Sequence, residues 1–181
     1  MEISQAYRFC PACGTKRENF TPLRPFRCES CGHTSFFGPV TAVGAVITNR
    51  AGRVLLIQRA REPGLGKLGV PGGFVDPNEA AEVALKREIQ EEVGISVGKL
   101  TFLMTAPNSY TYHGVALPVL DIFYTARVVD DQEIAHDDSE VSAWMWTELS
   151  PEILSRLAFP SNRLAMERFL EMQIAKLKMQ N

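Results

Sequence analysis

The chain of 181 residues has no run of about 18 apolar residues, the minimum for a membrane-spanning helix. It has no one-sided charge. Nineteen Lys and Arg stand against 21 Asp and Glu, for a formal net charge of −2. That balance supplies no global positive field to draw in nucleic acid and no acidic excess of the kind that keeps a tail disordered. Its start, Met1 to Cys10, lacks the basic-then-apolar pattern of a secretory signal, so the expected compartment is the cytosol. Histidine is scarce: His33, His113 and His136 fit no ligand spacing. Cysteine is nearly absent too, with four in all and none after position 31. With 45% hydrophobic residues, the rest of the chain can build an ordinary buried core.

The four cysteines form two pairs, Cys10-Pro-Ala-Cys13 and Cys28-Glu-Ser-Cys31, each followed by glycine. The spacing, C-x2-C-x14-C-x2-C, is of the four-cysteine zinc type. Two thiolates two residues apart can turn toward one ion, and the glycine permits the tight turn that aims amides at sulfur. Residues 1–38 are too few and too polar for a core, so a structural Zn²⁺ is expected to replace one. Disulfides would suit a secreted domain, which nothing else here suggests. The segment holds five Lys or Arg against three acids, a weak basic excess. It could brace the main domain, mediate a homodimer or touch a nucleic acid end.

After the join at Phe36 to Pro39, the predicted elements of domain 39–181 are a hairpin (40–48 and 53–59) about a turn at 49–52, then a loop over 60–73. A helix over 77–93 follows, then strands at about 99–105 and 119–129 around a long loop or ragged hairpin from Ala106 to Pro118. An acidic loop occupies 130–139, a strand 141–146, and a short helix opens at Ser150-Pro151. Ser161 is predicted to cap a final helix with an apolar stripe of Leu164, Phe169, Leu170, Ile174 and Leu177. The class is α/β, a mixed sheet with helices on both faces.

Chemistry concentrates between Gly73 and Ile95. Asp76 reads as an N-cap, Pro77 as the first helical residue, Glu79 as the partner of a capping box and Gly94 as the left-handed stop. Ala81, Leu85, Ile89 and Val93 recur on one face. Glu88, Glu91 and Glu92, at i, i+3 and i+4, are expected to bring their carboxylates together on another. Such a cluster is ordinarily a solvated helix face. Its repulsion can also be relieved by a divalent cation, and an all-oxygen donor set suits Mg²⁺ or Mn²⁺.

This stretch resembles the Nudix box, G-x5-E-x7-R-E-U-x-E-E-x-G-U with U aliphatic, at every specified position: Gly73, Glu79, Arg87, Glu88, Ile89, Glu91, Glu92, Gly94 and Ile95. The resemblance implies a Nudix α/β/α sandwich from about residue 39. It implies metal-dependent hydrolysis of a pyrophosphate bond in a nucleoside diphosphate derivative. It makes Glu88, Glu91 and Glu92 the Mg²⁺ or Mn²⁺ ligands, and gives Arg87, Glu79, Gly73 and Gly94 the shaping of the loop and helix. The general base is Glu91 or Glu140. Arg59, Arg61 and Lys67 are candidates for phosphate contact, and Tyr110, Tyr112 or Phe123 for stacking on a base.

The ribbon resembles that of NADH pyrophosphatase-type Nudix proteins. The S-Q-P-W-P-F-P-x-S motif of those enzymes is missing, however, and Thr111 stands where ADP-ribose pyrophosphatases tend to carry proline. A dinucleotide such as NADH, FAD or ADP-ribose ranks first as substrate. The alternatives are removal of a nucleotide cap from RNA and a regulator that uses the domain only to bind.

Overall fold

The computed structural model describes residues 1–18, 25–129 and 132–179. Part of the ribbon (19–24) and the start of the acidic loop (130–131) lie outside the described residues. The chain divides into two compact units, Met1–Val40 with Ser109–Val119, and Thr41–Asn108 with Leu120–Asn181.

The first unit holds a helical turn, α1 (Ile3–Ala6), and two short antiparallel strands, β1 (Phe26–Arg27) and β2 (Thr34–Ser35), in the register Phe26↔Ser35. Its filling is a cation. Arg17 is buried, and its Nη1 donates to the carbonyls of Ser4 (2.8 Å) and Tyr7 (2.9 Å). The guanidinium lies 4.3 Å from the centre of the Phe26 ring, and Tyr7 meets Phe37 edge-on at 5.0 Å. Hydrogen bonds and the ring face together replace the water that a buried charge loses.

The second unit is built on a sheet of β3 (Val40–Thr48), β4 (Val54–Arg59), β5 (Leu68–Gly69), β6 (Thr101–Tyr112), β7 (Val115–Arg127) and β8 (Val141–Thr147), in the order β5-β4-β3-β7-β6 with β8 on β4. One edge of β4 carries β8 along its length. The other is shared by β3 at its start and β5 at its end. Alternation decides what each face meets. Val43, Ala45 and Ile47 of β3, Leu55 and Ile57 of β4, and Tyr124 and Ala126 of β7 pack with Ala84, Leu85, Ile89 and Val93 of α2 (Ala81–Val93). The intervening Val46, Val54, Leu56 and Phe123 pack with Ala165, Met166 and Phe169 of α4 (Pro160–Met179). Between α2 and α4 comes α3 (Pro151–Ser155), where Ser150 Oγ accepts from Ile153 N, as its Ser-Pro start implies.

Of the two forms open for 106–118, a long loop or a ragged hairpin, the span takes the second. It is the arm of the β6–β7 hairpin, which turns at His113 (φ 46°) and Gly114 (φ 79°). Two successive positive-φ residues give the turn whose twist matches paired strands. Pro107 is tolerated because β6 is at the end of the sheet order. The segment 60–73 is loop for most of its length, as expected, and contains the two-residue β5.

Two expectations need correction. The helix predicted from 77 starts at Ala81. Asp76 N donates to Glu79 Oε2, one half of a capping box, but Glu79 N donates to the backbone carbonyl of Asp76 and closes a turn through Asn78 (φ 67°) ahead of the helix. Finally, α4 starts at Pro160, one residue before the expected cap. Ser161 and Asn162 are buried inside it, while Leu164, Ile174 and Leu177 are 45–62% exposed. The true buried face is Asn162, Ala165, Met166 and Phe169, since Ala165 allows close approach and the C-terminal half of the helix has no buried residue. Met166→Ala should destabilise the protein by about 2–5 kcal/mol, as cavity-forming core changes do, measured by urea unfolding.

Candidate functional site

The first candidate centre is the cysteine cluster. The ligand atoms of Cys10, Cys13, Cys28 and Cys31 all lie within 4.8 Å of one another. Cys10 Sγ is 3.7 Å from Cys31 Sγ, and Cys13 Sγ is 3.7 Å from Cys28 Sγ. Those separations exclude disulfides, in which sulfurs sit about 2.05 Å apart. They fit four thiolates on a tetrahedral ion at about 2.3 Å, which places sulfurs about 3.8 Å from one another. Each pair is folded alike: Gly14 N donates to Cys10 O (2.9 Å) and Gly32 N to Cys28 O (2.8 Å). The donor set therefore suits zinc.

The second centre is built around Arg87 on α2. Its Nε and Nη2 donate to the two oxygens of Glu79 (3.0 and 2.9 Å), and Nη2 also reaches Phe74 O (3.1 Å). Nη1 donates to Glu88 (2.8 Å) and Glu91 (3.0 Å). One guanidinium thus ties the loop before the helix to two of the helix's own acids. Hydrogen bonding to Arg87 holds the Glu79 carboxyl below its ordinary range.

Gly73 is required by proximity. A Cβ there would sit 2.4 Å from the Glu88 carboxyl carbon. At the other end Gly94, at φ 69°, is left-handed, and a Cβ would come 2.9 Å from Ala135 O. That contact belongs to a second tether. Ala135 N donates to Val93 O, and Asp137 N to Glu92 O, so the loop ahead of β8 is pinned to the end of α2.

The tether brings Glu140 into play. Ala60 N donates to Glu140 O, and a register shift opposite Gln58 and Arg59 puts an extra residue in β8 just beyond it. Bulges of this kind re-aim side chains beside sites. Glu140 pairs with Arg61 at 2.7 Å. Glu92 is buried, and Gly72 N donates to its Oε2 (2.8 Å). Burial pushes the Glu92 carboxyl up to about 8. The amide of Gly72 opposes that rise, and the charges of Glu88 and Glu140 add to it. Glu88 is likewise raised, first by burial, with Glu91 and Glu140 contributing.

The three box acids divide their directions more than helical spacing suggested. Among the described residues, only the four cysteines gather their donor atoms within 4.8 Å. Glu91 turns to Arg87 and is 59% exposed, Glu92 turns inward to Gly72, and Glu88 lies between. The geometry of the helix explains this: at 100° per residue, i+3 and i+4 fall on opposite sides of i. Glu140, from outside the helix, adds a fourth carboxylate to the field of Glu88 and Glu92. Hard oxygens whose mutual repulsion Arg87 and Arg61 only partly offset fit a divalent cation.

Arg59, near the same acids, is held by Pro63 O (2.7 Å) and stacks on Phe159 at 5.2 Å. Tyr110 belongs to the first unit, tilted against Tyr112 at 6.3 Å. Sequence reasoning overlooked Asp121. It is buried on β7 and accepts from Asn108 Nδ2 (2.8 Å), and burial raises its carboxyl. An acid alternating with Val119 and Phe123 on the inward face of a strand was the available signal.

A family profile described as the NUDIX domain matches residues 38–169. The chain is 26% identical over 181 residues to an NAD-capped RNA hydrolase NudC of Deinococcus radiodurans, covering 99% of this chain and 61% of that protein. It is 30% identical over 135 residues to an RNA pyrophosphohydrolase of Erythrobacter litoralis, covering 66% of this chain and 81% of that one. Among solved structures, it is similar to the NUDIX domain of Shewanella oneidensis NrtR complexed with ADP ribose, at TM-score 0.62 and 28% identity over 76% of this chain and 90% of that one. The chain thus spans less than two thirds of the NudC relative's length.

Two outcomes are expected. A thiol-reactive mercurial should release one equivalent of zinc per chain, counted with a colorimetric chelator. The second concerns stability without added divalent cation. A carboxyl raised from 4.5 to about 8 keeps its proton in the folded state while the unfolded chain releases it. Stability should therefore fall as pH climbs through that window, by on the order of a few kcal/mol. Glu79 and Asp137, which are shifted downward, act below it. Melting temperatures across the window should show the slope, and Glu92→Gln should flatten it.

Proposed function

This chain belongs to the NUDIX family, and on that premise we propose that it hydrolyses the pyrophosphate bond of a nucleoside diphosphate derivative, first among them a dinucleotide such as NADH, FAD or ADP-ribose. One observation carries the reading: a buried carboxylate, Glu92, beside the half-buried Glu88 that is seated against Gly73, both in the field of Glu140 and framed by the Arg87 hub. A solvated helix face would not bury its acids.

Glu88, Glu91 and Glu92 would hold Mg²⁺ or Mn²⁺. Such a cation would supply neutralisation of phosphate charge and a lower pKa for the attacking water. Arg87 acts by position, keeping Glu79, Glu88 and the loop carbonyl of Phe74 in register. Glu140 or Glu91 accepts the proton of the attacking water. Arg59 and Arg61 neutralise the non-bridging phosphate oxygens. We assign residues 1–38 to a zinc ribbon and 39–181 to the catalytic domain, place the protein in the cytoplasm and allow a homodimer.

A second reading has specific support in the names of the relatives: an RNA whose 5′ end carries NAD presents the same pyrophosphate bridge. It would need the positive groups to follow an RNA backbone.

Incubation of the zinc-loaded protein with NADH, FAD, ADP-ribose and NAD-capped RNA, with Mg²⁺ or Mn²⁺, should yield nucleoside monophosphate or 5′-monophosphate RNA. Glu92→Gln should reduce turnover at least ~100-fold, since loss of groups merely supporting a ligand costs 10–100-fold. Unchanged turnover in that variant would sink the assignment. Tight binding of ADP-ribose without turnover under any metal would point instead to a binding module.

A further inference from the structure

The Arg61–Glu140 pair joins a free end to a fixed one. The Arg61 side chain is 60% exposed, on the loop after β4, while that of Glu140 is 28% exposed. Glu140 is fastened from several sides. Its N–H donates to Asp137 O (3.0 Å), its carbonyl accepts from Ala60, and its neighbour Val141 is fully buried. Asp137 in turn is tied to the end of α2 through Glu92 O, and its charge too faces Arg61. So the arginine can leave and the glutamate cannot.

Arg87 meets the same need nearby, for its guanidinium lies between Glu88 and Glu91 where their repulsion calls for positive charge. Arg87 is locked by five contacts, whereas Arg61 has one ion pair among the described residues.

We propose that Arg61 is a substrate-exchanged clamp: it neutralises Glu140 in the resting protein, moves to a substrate phosphate on binding, and so delivers the charge of Glu140 to the carboxylates of α2. The clamp rests on the reading of that helix as a phosphohydrolase site. A guanidinium fork fits carboxylate and phosphate alike, and a largely exposed arginine with one ion pair is weakly held, so a diphosphate with more charge displaces a single carboxylate. No bond is made or broken. The exchange couples two binding events, because occupation of Arg61 by phosphate raises the negative charge available to a cation. By linkage the cation must favour substrate equally.

The test is Mn²⁺ affinity, measured by calorimetry on the zinc-loaded full chain, with and without α,β-methylene-ADP, whose bridge cannot be cut. Arg61→Gln should bind Mn²⁺ alone about 5-fold more tightly than the unmodified protein, the lower end of ordinary coupling. The gain that α,β-methylene-ADP gives to Mn²⁺ binding should shrink in this variant. In a Glu140→Gln background, Arg61→Gln should change Mn²⁺ affinity less than about 2-fold, because nothing remains to be released. A gain that persists there would mean a general field effect and overturn the clamp, as would an Arg61→Gln protein with unaltered Mn²⁺ affinity. Circular dichroism melting confirms that each variant is folded. Turnover by the unmodified protein separates the two ideas: activity with a failed clamp leaves the hydrolase reading standing, and no turnover on any dinucleotide or capped RNA overturns both.

Discussion

The guanidinium of Arg87 is the point on which the site depends. It takes both oxygens of Glu79, the carbonyl of Phe74 and one oxygen each of Glu88 and Glu91. Lysine could not do this, since its ammonium offers no rigid fork to span two carboxylates and a carbonyl. Without these contacts, the loop from Gly72 to Ala80 would have little reason to lie along α2. The seat of Glu88 against Gly73 exists only while it does. Ionic hydrogen bonds, shielded in part by the surrounding chain, thus give a glycine-rich segment the rigidity that its composition denies it.

Around that hub the sheet sets the distances. Val43 N accepts the loop by donating to Gly73 O, and Ala45 N donates to Pro71 O, so β3 fixes the loop while its side chains fix α2. The opposite face closes on α4, where Gly44 is the residue that fits: a Cβ there would be 3.0 Å from both Phe123 and Val70. The acids are consequently mounted on a helix that cannot shift without breaking a core. This is why burial, ordinarily avoided by carboxylates, persists at Glu92. An energetic penalty held in place by packing is the usual mark of a functional group.

Much of this could be read in the residues. The spacing from Gly73 to Ile95 gave the helix face of Leu85, Ile89 and Val93 and the turn at Gly94, and the resemblance to the Nudix box implied the association of Glu79 with Arg87. Cysteine spacing gave the four-sulfur cluster. The errors share a cause. Asp76 and Pro77 carry the local marks of a helix start, yet Glu79 is bound to Arg87, eight residues on, and the chain makes a separate turn first. The stripe from Leu164 to Leu177 has helical period, but period alone does not say which three turns lie over a sheet. Between Ala106 and Pro118 a long loop and a ragged hairpin both stayed open, because a sequence does not show how far a hairpin arm extends.

The order of residues by itself determined the family, the box, the pairing of cysteines into one cluster and the α/β class, because each depends on short, regular spacings along the chain. Only the tertiary structure decided that Glu91 and Glu92 turn apart, that Glu140 joins Glu88 and Glu92, that Arg61 covers Glu140 and that Arg17 fills the small unit. Those relations link residues brought together by strand pairing and loop tethers, whose charges feel one another through space, and no local spacing encodes such a field.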